Sequence, residues 1–335
     1  MPVYFDAVRL VLVALLLFVA GCAGVHHPQT IFAPRSDFSA ELDGLFKNIF
    51  WWAVVVFLLV ETLLLIAIAR FRARPGAPEP KPVHGHTILE IGWTLAPALI
   101  LVFIAVPTMR TVFDTAGHAP EGALPVEVIG HQWWWEYRYP TLNISAYNEL
   151  HVPARTPIQI EMTSADVIHS FWVPALGGKR DLIQGRTNRI AFKADSTGEY
   201  WGQCAEFCGA SHANMRLRVF VQTDSAFQRW VDQQRALPAA PVKGSLAEAG
   251  MLVFKRSACI GCHTIDGVSQ GKTAPNLSHL GSRTTIAGAL FPNTTETLQR
   301  WIMNAPSLKP GAMMTPQNLS PQDLDAIIAY LQSLK

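Results

Sequence analysis

Residues 49–69 read IFWWAVVVFLLVETLLLIAIA, an apolar stretch whose polar members are Glu61 and Thr62. A bilayer core takes about 20 apolar residues per crossing helix, so this segment predicts a transmembrane span. A second apolar stretch, 91–109, is interrupted by Pro97 and Pro107 and is still long enough to cross. Trp51, Trp52 and Trp93 lie near span ends, where indoles favour the membrane–water boundary. Between the spans Arg70, Arg72, Arg74 and Lys81 outnumber Glu79, which puts the connecting loop in the cytoplasm and both termini outside. Residues 22–110 therefore form a hairpin anchor. An ionisable group such as Glu61 inside a span is costly and faces a protein partner or water. Glu90, at the cytoplasmic end of the second span, has ordinary solvation as its plain expectation.

This apolar segment explains a composition that is 50% hydrophobic and only 16% charged. Beyond residue 110 the chain reads like an ordinary water-exposed protein, so a polytopic bundle is excluded, as is a fully soluble globule. With 27 basic and 25 acidic residues and no long Lys/Arg run, nucleic acid is excluded as a partner. Upstream, residues 10–20 are an unbroken apolar run, too short to span and suited to a signal peptide over 1–21. Val19-Ala20-Gly21-Cys22 resembles a bacterial lipoprotein cleavage box, with Cys22 the lipidated mature N-terminus. A plain secretory signal with a stray cysteine is the alternative.

From 120 to 225 the pattern changes to short alternating runs, among them Val126/Val128, Ile158/Ile160/Met162 and Leu217/Val219/Val221. Period-two apolarity broken by Gly, Pro and Asn predicts an antiparallel β-sandwich or barrel. A short helical stretch near 226–236 and the proline-bearing segment 238–244 make 226–245 a linker, flexible enough for the C-terminal region to reposition. Residues 246–335 read as helical, over 246–255, 295–304 and 320–334. In the last of these Ser320 serves as N-cap, and Leu324, Ile327, Ile328 and Leu331 share a face.

Two motifs carry chemistry. Cys259-Ile-Gly-Cys262-His263 has the C-x-x-C-H pattern of covalent c-type haem attachment, with two thioethers from the cysteines and His263 as proximal iron ligand. A redox dithiol or half a zinc site are the alternatives; neither a second C-x-x-C nor a thioredoxin-like βαβ pattern supports them. The distal ligand of such a haem is typically Met. Met314 is preferred for its spacing to Leu319-Ser320 and Met313 is the alternative, while Met303 suits a helix core. The second motif is Cys204-Ala-Glu206-Phe-Cys208-Gly-Ala-Ser-His212-Ala-Asn-Met215. Thiolates, an imidazole and a thioether suit a soft redox metal, copper above all. His169 is the best candidate for a second imidazole, and Cys204 adds a second sulfur with which to bridge two coppers. A disulfide between the two cysteines is the competing reading in an exported chain.

These residues, with Gly130-His-Gln-Trp133-Trp134-Trp135-Glu-Tyr137, resemble subunit II of haem–copper respiratory oxidases. The fused haem motif resembles the caa-type branch, in which a cytochrome c is appended. The resemblance implies a multidomain fold: a transmembrane hairpin, a cupredoxin-like β-sandwich and an all-α cytochrome c domain. It implies a binuclear copper centre, CuA, bridged by Cys204 and Cys208. His169 and His212 would each bind one copper, Met215 would bind weakly, and Glu206 would act through its carbonyl, with its side chain toward a magnesium shared with subunit I. It implies that Trp133 receives electrons and that Glu90 lies at the mouth of a proton path. The partners implied are subunit I, other oxidase subunits, the membrane, and a cytochrome c or quinol-oxidising complex as donor. Oxygen chemistry would belong to subunit I. Service to a copper-containing nitric oxide reductase, or a tethered electron carrier, are the alternatives.

Overall fold

The computed structural model describes residue 13 and residues 27–72, 75–76, 82, 84–116 and 119–335. The expected signal segment apart from Val13, the lipidation candidate Cys22, and Arg74, Glu79 and Lys81 of the connecting loop lie outside the described residues.

The hairpin consists of α1 (Asp37–Phe71) and α2 (Thr87–Asp114), both long and apolar enough to cross a membrane. Both exceed the apolar runs 49–69 and 91–109, because caps rather than hydrophobicity set their ends. Ser36 caps α1 in a reciprocal capping box with Ser39. The same turn ties the helix to the β-domain: Ser36 Oγ donates to the Leu176 carbonyl at 2.6 Å and Ser39 Oγ to that of Ala175 at 2.8 Å. Phe38 is buried against Gly177 and Gly178, where an added Cβ at Gly178 would stand 3.2 Å from its ring. Pro97 and Pro107 lie inside a continuous α2. Each removes one ladder bond, and in lipid the alternative to helix is unsatisfied backbone.

Ten strands follow: β1 (Leu124–His131), β2 (Trp134–Tyr139), β3 (Ile144–Tyr147), β4 (Glu149–Pro153), β5 (Pro157–Ser164), β6 (His169–Trp172), β7 (Arg180–Leu182), β8 (Asn188–Lys193), β9 (Gly198–Cys204) and β10 (Arg216–Gln222). They form two five-stranded sheets, ordered β3-β2-β1-β5-β8 and β4-β10-β9-β6-β7. The sheets are mixed rather than antiparallel, since β1 pairs parallel with β5 and β4 with β10. Neither pair is joined by a hairpin; the chain travels through other strands first and returns from the same end. The alternation read in the sequence marks the faces correctly, with Val126, Val128, Ile158, Ile160, Met162, Leu217, Val219 and Val221 all buried.

Helix α3 (Asp224–Arg235) puts Phe227 and Val231 into this same core. Half of the expected linker 226–245 therefore belongs to the β-domain, and the free connection is 236–244. The last domain is built on α4 (Leu246–Arg256), the short α5 (Cys259–Cys262), α6 (Thr295–Leu308) and α7 (Pro321–Ser333). Asn304 leaves helical geometry inside α6, where the sequence reading ended that helix. Helices α4 and α7 cross tightly enough that a Cβ at Gly250 would stand 1.9 Å from the Ala326 carbonyl oxygen. Val253, Phe254, Leu324, Ile327, Ile328 and Leu331 close the core around that crossing.

Candidate redox sites

The sandwich converges its soft donors at one end. His169 opens β6 and is fully buried, and Cys204 ends the neighbouring β9, whose last residue pairs with Phe171. The loop after Cys204 returns through a 3-10 turn at His212–Asn214 into β10, carrying Cys208, His212 and Met215 with it. The two sulfurs lie 3.8 Å apart, beyond disulfide bonding. His169 Nδ1 stands 3.9 Å from Cys204 Sγ, His212 Nδ1 3.6 Å from Cys208 Sγ, and Met215 Sδ 3.9 Å from Cys208 Sγ. The Glu206 carbonyl oxygen is 3.2 Å from Cys204 Sγ, while its side chain is exposed. All six candidate donors thus face one small volume. The proton shared between the thiols splits them: the hydrogen bond with Cys208 pulls Cys204 down to about 4, and Cys208 is pushed up. A dithiol poised to lose a proton, flanked by imidazoles and a thioether, suits copper.

Two supporting residues were not foreseen. Asp166 Oδ1 holds His169 Nε2 at 2.7 Å, and its other oxygen accepts from the Gln132 N–H at 2.7 Å. Burial opposes charge on His169, but Cys204 and Asp166 outweigh it and raise the imidazole's pKa. A carboxylate on the outer ring nitrogen fixes the tautomer and orientation of a ligating His. An acid three residues before His169 was the available signal. Gly130 is the other: a Cβ there would fall 2.7 Å from the His169 ring.

Trp133 lies in the turn before β2, whereas Trp134 and Trp135 lie within the strand. Its Nε1–H donates to the Cys208 carbonyl at 3.0 Å, as the Gln132 amide does at 2.7 Å. The far side of its ring meets Gly311 of the last domain, where a Cβ would stand 2.5 Å away. Of its neighbours, Trp135 is fully buried and Trp134 stacks on His131.

Beyond Trp133 opens a cavity of about 400 Å³, lined by Cys259, Cys262, His263, Met313 and Met314 and by Trp133 itself. His263 Nδ1–H donates to the Pro275 carbonyl at 2.8 Å, which leaves Nε2 as the ring's free nitrogen. Burial lowers the pKa of His263, favouring the neutral imidazole that binds iron. Met314 packs against the domain core, whereas Met313 is 76% exposed. The C-x-x-C-H thiols, a neutral imidazole and an apolar cavity suit haem. Glu90 is exposed at the start of α2, and its carboxylate accepts from the His86 N–H at 3.2 Å.

The last domain is seated on the β-domain through polar contacts. Lys309 Nζ donates to the carbonyls of Trp133 at 2.6 Å and Ala287 at 2.7 Å. Ser211, within the candidate copper loop, donates to the Pro310 carbonyl at 2.6 Å. Burial lowers the pKa of Lys309 to about 7, and charged or neutral it keeps enough N–H groups for both carbonyls.

Three families match the chain in sequence: cytochrome c oxidase subunit II, transmembrane domain, over residues 29–111; its periplasmic domain, over 141–222; and cytochrome c, over 247–335. The cytochrome c oxidase subunit 2 of Alkalihalophilus pseudofirmus is 37% identical over 328 residues, spanning 96% of this chain and 95% of its own. That of Bacillus sp. PS3 is 36% identical over 286 residues, spanning 79% and 80%. The crystal structure of the periplasmic domain of cytochrome oxidase subunit II from Bradyrhizobium japonicum shares 36% identity, covers 35% of this chain and 97% of its own, and gives a TM-score of 0.34.

Proposed function

Since the chain belongs to the cytochrome c oxidase subunit II family and forms part of a terminal oxidase, we propose that it is the electron-receiving subunit. In this reading it takes electrons from an external donor through a c-type haem and passes them to a binuclear copper centre. The membrane spans and the cupredoxin-like β-domain match subunit II and the C-terminal domain matches cytochrome c, and the last two imply CuA copper and haem c. When bound, these groups supply one-electron transfer toward the haem of subunit I, where oxygen is reduced and protons are translocated.

The chain's own residues hold and insulate them. Cys204, Cys208, His169, His212, the weaker donor Met215 and the Glu206 carbonyl would hold the copper centre. Asp166 orients His169. Cys259 and Cys262 would attach the haem covalently, and His263 and Met314 would hold its iron. Trp133 is assigned the path between the sites. The observation that carries this reading is its place: its ring bounds the cavity on one side while its N–H is bonded to the carbonyl of Cys208 on the other. An indole bridge excludes water and shortens the gap between the two sites.

The exposed carboxylate of Glu206 is assigned to a magnesium at the contact with subunit I, and Glu90 to the mouth of a proton path. The basic cytoplasmic loop sets the redox domains on the periplasmic side of a bacterial membrane, with Cys22 as a lipid anchor. Replacing Trp133 by Phe tests the path. Copper and haem content are expected to be unchanged, while reduction of copper by the haem in a rapid-mixing experiment slows at least tenfold. Unchanged reduction kinetics would remove Trp133 from the route.

A further inference from the structure

Two buried groups of contacts join the domains alongside the Ser211–Pro310 bond and an exposed bond from Gln233 Nε2 to Ser282 Oγ at 2.7 Å, and no side chain in either group is a copper or haem ligand. At the first, Lys309 is 3% exposed and its amino group spans the junction, bonded to Trp133 on the copper domain and Ala287 on its own. The loop around Ala287 is shaped for this contact. Ala287, Gly288 and Ala289 all have left-handed backbones, at φ of 59°, 79° and 56°. A Cβ on Gly288 would stand 2.5 Å from Lys309 Nζ and 2.9 Å from the Trp133 carbonyl oxygen. The loop is also bonded from the opposite domain, by the Arg216 N–H to the Gly288 carbonyl at 3.1 Å.

At the second, Glu149 on β4 is 4% exposed. One of its carboxylate oxygens accepts from the backbone N–H groups of Thr284 and Thr285, at 2.9 and 2.8 Å, and from both their hydroxyls at 2.7 Å. A buried carboxylate without those donors would be severely penalised, so β4 and the 284–285 turn each complete the other. The Arg283 guanidinium next to it lies over the ring of Tyr147, 5.3 Å from its centre.

We propose that Lys309 and Glu149 are docking anchors that hold the C-terminal domain in one fixed seat on the copper domain. Trp133 is then enclosed between the domains, and an outside donor reaches the copper centre only by way of the C-terminal domain. The connection 236–244 alone permits repositioning; the anchors oppose it. The consequence for donors rests on the electron-transfer reading, whereas the seat itself is measured without any electron transfer.

The test places a protease site within 238–243 of the full chain in the purified oxidase. After cleavage, the fraction of the 245–335 fragment retained through washing is followed. The variants are Lys309→Met, Glu149→Gln and the isosteric pair Thr284→Val with Thr285→Val, with exposed Lys255→Met as control. Wild type and Lys255→Met are expected to retain the fragment. Each anchor variant is expected to release it about tenfold faster or more, the scale of losing a buried charge-assisted hydrogen bond. Haem content is expected to be unchanged, and so is the absorption spectrum, which a domain unfolded around its covalently held haem would alter. Retention in wild type is expected to vary little between low and high salt, because buried anchors are screened weakly. With the linker intact, Lys309→Met is expected to lower kcat with an outside cytochrome c while leaving its KM unchanged. Release of the wild-type fragment as fast as that of the variants would overturn the proposal. So would full retention by both Glu149→Gln and the Thr284/Thr285 pair.

Discussion

The two candidate redox sites are built on opposite plans. In the β-domain, strands β6 and β9 of one sheet and the loop from β9 to β10 gather six donor groups around two sulfurs 3.8 Å apart, over a core that includes fully buried Trp135, Leu150, Ile158, Ile160 and Leu217. In the C-terminal domain, the thiols, His263 and Met314 stand around a cavity of about 400 Å³, and the core is a smaller cluster centred on the α4–α7 crossing. The first site is a by-product of a fold that closes on itself. The second needs its prosthetic group as part of its interior, since a small domain rarely gains enough from apolar burial alone.

The largest expected effect separates the plans outright. Cys204→Ser with Cys208→Ser is expected to abolish copper binding yet leave the β-domain resistant to limited proteolysis. Cys259→Ala with Cys262→Ala is expected to leave 246–335 protease-sensitive. A protease-resistant C-terminal domain without attached haem would break the comparison. Next in size, Gly250→Ala forces a methyl onto the Ala326 carbonyl and is expected to cost the C-terminal domain about 3 kcal/mol in denaturant unfolding. A loss well under 1 kcal/mol would mean that the α4–α7 crossing shifts at little cost.

The pH response of the β-domain sharpens the contrast further. His151 is stacked between Phe220 and Trp230, and burial lowers its pKa to about 4. The unfolded chain, with an ordinary imidazole, binds the proton first as pH falls. Stability is therefore full above about pH 6.5 and declines toward pH 4, by about 2 kcal/mol at pH 5. His151→Phe is expected to flatten that slope, measured as the urea midpoint against pH. The smallest effect on folding is expected from Met215→Leu, under about 1 kcal/mol. The same change should shift the copper reduction potential measurably, and an unaltered potential would take Met215 out of the ligand set.

The range of each interaction decides how much of this was legible in the sequence. The copper loop was readable because most of its donors lie within 204–215, and C-x-x-C-H because it is a local pattern. The strand faces were readable because Val126/Val128 and Ile158/Ile160/Met162 alternate. Parallel pairing of β1 with β5 was not, since alternation marks a face and says nothing of a neighbour. Asp166 and Gly130 were missed because their importance comes from where His169 is carried by β6. The assignment of 226–236 to the linker failed on tertiary packing: α3 is only weakly apolar, and its few large residues, Phe227, Trp230 and Val231, find their partners across the β-domain. The seat of the C-terminal domain was invisible because Lys309 and Glu149 look like ordinary surface charges until the two domains meet.

The most direct test of the account is copper and haem analysis of the purified oxidase, with electron paramagnetic resonance of its copper. The account predicts a copper pair with its unpaired electron shared between the two ions, and a single covalent c-type haem, both assigned to this chain. A disulfide joining Cys204 to Cys208 in active enzyme, with no copper bound there, would contradict it.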